Sequence, residues 1–142
     1  MIEIINRQRA RSIDRKALLD FSQRALLAVK RSQQTATIVF VGDAAIKKLN
    51  QQFRGKNNVT DVLSFPAKAE AFEHENQSNL GEVIISVQRA ATQAKENGLT
   101  LGNEIQQLIL HGLLHLCGYD HETDKGEMNR RELRLRKKLG ID

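Results

Sequence analysis

A single cysteine in 142 residues, Cys117, rules out an internal disulfide framework and fits a reducing compartment. No apolar run approaches the roughly 20 residues that a bilayer-spanning helix needs. Aromatic residues make up only 4% of the chain and tryptophan is absent, which weighs against an extended platform for stacking nucleic-acid bases. The opening Met1 to Asn6 lacks the basic, apolar and small-residue zones of a secretory signal, so a cytoplasmic location is expected. There is no internal repeat and no linker-like stretch, and the length suits one domain over residues 1–142.

What the chain does have is charge, unevenly placed. Residues 1–31 hold eight basic and three acidic side chains and residues 125–142 hold seven and three, whereas 67–124 hold three and nine. Basic ends around an acidic middle could bring in a polyanion, although solvated helix faces account for the runs equally well.

Periodicity predicts an α+β domain with a small mixed four-stranded sheet packed by about five helices. Ile2 and Ile4 start a short strand. Asp14 caps a helix to about Lys30 with Ala17, Leu18, Phe21, Ala25, Leu26 and Val29 inward, and Thr35 to Val41 is a buried strand. Asp43 is expected to cap a second helix with Ile46, Leu49 and Phe53 inward. A loop from Arg54 to Asp61 leads to a strand at Val62 to Phe65, stopped by Pro66. The polar segment 67–79 reads as an exposed hairpin connection or flexible loop. Leu80 to Val87 contains the next strand, and Ser86 starts a helix that ends at Gly98. Thr100 caps the following helix. The last runs from Thr123 or Asp124 to about Leu139, with Met128, Leu135 and Leu139 inward.

Three of the four histidines fall within eleven residues, at His111, His115 and His121. Positions 111 and 115 lie one helical turn apart and share a face, a spacing that suits two ligands of one ion. Gly118 can end the helix in a left-handed conformation and return His121 to the same ion. Three neutral imidazoles leave zinc a fourth position for water, as at a catalytic centre. A closed structural site is the alternative. Cys117 is a poor fourth ligand because it lies about 200° around the helix from His115, whereas Asp120 or Asp124 could close the site or orient a ligand ring. The spacing is also that of zinc proteases, whose general base follows the first histidine. Here that residue is Gly112, so the base is missing, and the glycine is expected to open space beside the ion for a bulky substrate. His74 reads as an ordinary surface residue.

This histidine segment resembles the signature of the YbeY family of bacterial ribosomal RNA maturation factors, metal-dependent single-strand-specific endoribonucleases. The resemblance extends to Leu49-Asn50-Gln51-Gln52-Phe53-Arg54-Gly55-Lys56, to Thr60-Asp61-Val62-Leu63-Ser64-Phe65-Pro66 and to Gly81-Glu82-Val83-Ile84-Ile85-Ser86. It implies a divalent metal, most simply Zn2+, on His111, His115 and His121, with Arg54 as the functional arginine. It also implies 16S rRNA or its precursor, the small ribosomal subunit and associated proteins as partners. The chain departs from the family pattern at Val59, where proline is usual, and at Glu82, where aspartate is usual.

The expected chemistry combines metal-bound water with charge stabilisation by Arg54, and Asp120 is a candidate proton acceptor. Lys56 and Ser64 are candidate substrate contacts; Glu82 and Asp120 are candidates to sit behind the ligands. Asn57 and Asn58 share the Lys56 loop, and Thr60 or Asp61 can serve simply to cap a turn. Two other readings stay open: a noncatalytic, metal-stabilised ribosome assembly factor, and a metallopeptidase.

Overall fold

A computed structural model describes residues 1–67, 78–120 and 123–141. Four strands and five helices occur among them: β1 (Ile2–Asn6), α1 (Arg15–Ala28), β2 (Thr35–Val41), α2 (Asp43–Arg54), β3 (Val62–Pro66), β4 (Asn79–Ser86), α3 (Val87–Asn97), α4 (Leu101–Leu116) and α5 (Glu127–Leu139). The sheet order is β1-β2-β4-β3; β1, β2 and β4 run parallel and β3 pairs antiparallel on β4. This is the expected mixed-sheet α+β domain.

The two sheet faces are covered unequally. On one, Ile4, Ile38, Phe40, Val83 and Ile85 join the inward side chains of α1, α3, α4 and α5 in the main core. On the other, Val39, Val41, Leu63 and Ile84 form a smaller cluster around the fully buried Ile46 of α2. β2 is buried on both faces, as its β-branched run predicts for a central strand.

Local chemistry sets most boundaries. Asp14, Ser86 and Thr100 cap α1, α3 and α4 by accepting from Ala17 N, Arg89 N and Asn103 N at 3.1, 3.2 and 3.1 Å. Gly98 and Gly140 end α3 and α5 in the left-handed conformation. Other expectations need correction. α1 stops at Ala28, and Ala17 is exposed. Gly42, not Asp43, occupies the cap position of α2, because the Asp43 carboxylate is drawn to the Ser86 hydroxyl at 2.6 Å. Phe53 is 59% exposed instead of inward, touching Phe65 edge-on with ring centroids 5.3 Å apart. α5 begins only at Glu127: the Asp124 carboxylate accepts from Gly126 N at 2.8 Å and Met128 N at 2.9 Å, capping the helix from outside. β3 and β4 pair antiparallel, but most of the expected hairpin connection or flexible loop between them, residues 68–77 with His74, lies outside the described residues.

Candidate metal and phosphate site

α4 carries the site. Its apolar residues Ile105, Ile109, Leu110, Leu113 and Leu114 are buried in the main core, which fixes the helix rotationally. The opposite stripe places Glu104, Leu108, His111 and His115 at steps of four, three and four residues, along one line of the helix. The His111 and His115 rings are 4.8 Å apart, and their Nε2 atoms approach to 3.2 Å.

That distance is itself informative. Two imidazole nitrogens on one tetrahedral zinc, each about 2.0–2.1 Å from the ion, lie about 3.3 Å apart. The pair therefore already has the spacing of one edge of such a site. No group of three metal-ligating side chains occurs among the described residues. The third expected ligand, His121, lies outside them.

Behind His111 stands a residue the sequence reading missed. Glu132 of α5 takes Nδ1 of His111 at 2.6 Å with one oxygen and the Arg136 guanidinium at 2.6 Å with the other. A carboxylate on Nδ1 holds the proton there and turns Nε2 outward, the usual support for a ligating histidine. Burial alone would push the Glu132 carboxyl up, but the hydrogen bond and charge of His111 and the charge and hydrogen bond of Arg136 outweigh it, holding the group below the ordinary glutamate range. It therefore stands as the anion this role requires. A signal existed: Met128, Glu132, Leu135 and Leu139 recur at helical spacing, so Glu132 is a carboxylate on an apolar stripe.

The histidines open onto a cleft of about 430 Å³ whose walls include Arg54, Asp61, Ser64, Tyr119 and Asp120. Arg54 ends α2 just before Gly55, which turns the chain at φ 67°. The following loop is fastened by buried Asn50, whose amide donates to Asn58 O at 3.0 Å and Asn58 Oδ1 at 2.9 Å. Asp61 accepts from Val62 N at 2.8 Å where β3 begins. Ser64 faces α4 and its hydroxyl donates to Gly112 O at 3.3 Å. Lys56, Asn57 and Asn58 are exposed on the loop beyond Arg54 and are not part of the cleft wall.

Two expectations change, those for Glu82 and Gly112. Glu82 shares strand parity with Ile84, on the α2 face of the sheet, while Val83 meets α4; alternation carries Glu82 away from the histidines. The Asp124 carboxylate caps α5, and on His111 it is Glu132 that takes Nδ1. Gly112 does not open space beside an ion. A Cβ there would stand 2.5 Å from Val83 Cγ1 and 3.3 Å from Ser64 Oγ, so the glycine lets α4 press against the sheet. Cys117 caps the end of α4 against the core, where burial raises its thiol pKa over the opposing effect of Arg31 and Arg131.

A sequence model described as "Endoribonuclease YbeY" matches residues 3–140. The chain belongs to the YbeY family. An endoribonuclease YbeY of Nautilia profundicola is 47% identical over 104 residues, covering 73% of this chain and 71% of that protein. One of Solibacter usitatus is 42% identical over 130 residues, covering 92% and 82%. Among solved structures, the solution structure of a Thermotoga maritima protein superimposes with a TM-score of 0.64 at 29% identity, over 98% of this chain and 89% of that one. The chain is thus a member of a family of bacterial endoribonucleases. No described helix is long and apolar enough to cross a membrane.

Proposed function

We propose that this protein is a zinc-dependent, single-strand-specific endoribonuclease that matures the 3′ end of 16S rRNA and serves ribosome quality control in the cytoplasm, with the small ribosomal subunit and its proteins as partners. The observation that carries the reading is the 3.2 Å approach of two Nε2 atoms, with Glu132 behind one of them, in a chain of an endoribonuclease family. His111, His115 and His121 would hold the ion. When bound, it supplies Lewis acidity toward a phosphoryl oxygen and acidifies water.

The remaining work falls to the chain's own groups. Glu132 keeps the His111 proton on Nδ1. Arg54, on the cleft wall, is suited to contact two phosphate oxygens in parallel and to stabilise charge growing on them as the phosphodiester is attacked. Asp120 lines the same cleft and offers a carboxylate to take the proton of the attacking oxygen. Ser64 serves as a secondary polar contact. A peptidase reading loses support, because the position of its base points into Val83.

Metal analysis and cleavage of a 16S precursor 3′ segment by highly purified wild type, His115→Ala and Arg54→Ala test the reading. His115→Ala is expected to lose metal and cleavage together. Arg54→Ala should keep its metal and cleave about 10²-fold more slowly, the size seen when one charge-stabilising donor is removed. Cleavage by folded His115→Ala at the wild-type rate would sink the catalytic reading and favour a noncatalytic assembly factor.

A further inference from the structure

A second cleft, also about 430 Å³, adjoins the first, and Asp61, Val62 and His111 belong to both walls. Its sides are apolar at Leu99, Leu108 and Val62, while Glu104 and Asp61 contribute carboxylates and Arg136 a guanidinium. Glu104 is the telling residue. It is only 4% exposed, so burying its charge is costly unless something answers it. One oxygen accepts from Asn97 Nδ2 at 2.9 Å; the other has no partner among the described residues, and the residue lines the cleft.

A cation is a poor occupant. Both oxygens of Glu132 are already engaged, by His111 and Arg136, and the Arg136 charge stands in the same wall. A flat, uncharged group with hydrogen-bond donors on its edge fits better, with its faces against leucine and valine and its edge toward the carboxylate. We propose that this cleft is a nucleobase subsite, taking the base beside the phosphate held at the metal cleft and favouring adenine, cytosine or guanine over uracil. Each of the first three offers an exocyclic amino group to Glu104, whereas uracil has none, and its one edge donor, N3–H, is flanked by two carbonyl oxygens that would stand beside the charge. The subsite rests on the endoribonuclease reading and deepens it into a rule for which single-stranded sequences are cut.

Two measurements test it separately from cleavage at large. The first is binding of AMP, CMP, GMP and UMP to the metal-loaded protein, followed by NMR shifts at Glu104, Leu99 and Leu108. The second is kcat/KM on single-stranded RNAs that differ only in the base beside the cut. In both, wild type should disfavour uracil by roughly tenfold or more, the scale of one well-formed base contact. Glu104→Gln turns an amide donor into the cleft, so the disfavour should vanish or invert toward uracil. Leu99→Trp fills the cleft without altering the buried carboxylate and should weaken base binding in all four cases. Base discrimination in binding without any cleavage would uphold the subsite and refute the nuclease reading. Cleavage whose base preference is the same in wild type and folded Glu104→Gln, or nucleotide binding indifferent to Leu99→Trp, would refute the subsite while leaving the nuclease intact.

Discussion

The two faces of the sheet hold their halves of the site in different ways. His111 and His115, the proposed metal ligands, stand on α4, which packs in the main core with α1, α3 and α5 and is backed by Glu132 from α5. Arg54 stands at the end of α2, which is held to its face by a small cluster around Ile46 and leaves Phe53 mostly in solvent. An ion needs its ligands fixed to within a few tenths of an ångström, and a densely packed helix supplies that. Arg54, the proposed phosphate contact, stands on a thinner layer with fewer packing contacts to lose when it moves. The difference assigns positional accuracy to one face and compliance to the other.

The comparison breaks most severely at Gly112. Adding a carboxylate side chain where α4 meets Val83 should destabilise Gly112→Glu by about 3 kcal/mol or more, overpacking and unpaired burial acting together. Denaturant unfolding would show it, and Val83→Ala in the same chain should restore part of the loss. Unaltered stability would mean that α4 is not pinned to the sheet as described.

A smaller effect sharpens the role of α5. Glu132→Gln keeps the shape but removes the anion from His111 Nδ1, and should weaken zinc binding about 10- to 100-fold in a chelator competition, with far-UV CD unchanged. Affinity equal to wild type would leave Glu132 a merely structural partner of Arg136. Smallest of all, Phe53→Ala on the thin face should cost less than about 1 kcal/mol, since the side chain is mostly exposed and its ring meets Phe65 edge-on. A loss rivalling that of a core residue would show that the α2 face is better consolidated than its burial implies.

What was legible in the sequence was mostly local. Caps at Asp14, Ser86 and Thr100 depend on a side chain and a backbone N–H three residues away, and they occur as expected. The pairing of His111 with His115 needs only helical spacing. Contacts between distant segments were not legible in the same way. Gly112 reads as open space until the sheet beside it is known, and Glu132 reaches a histidine 21 residues earlier in the chain. Asp43 was drawn from its capping role by Ser86, 43 residues on. Glu82 was within reach, because strand alternation alone separates it from Val83. So was Glu132, since a carboxylate recurring with Met128 and Leu135 requires a partner that a surface glutamate does not.

The stripe of Glu104, His111 and His115 along α4 also makes that helix a ruler. Seven residues at 1.5 Å each set Glu104 about 10 Å along the axis from His111, and two helical turns keep them on one line. Inserting or deleting a single residue between them would leave composition and helix content almost untouched, yet swing Glu104 about 100° around the axis and out of its cleft. Substitutions in this stretch can be graded and repaired by neighbours; a change of length cannot. The number of residues from 104 to 111 is therefore as much a part of the site as the residues themselves.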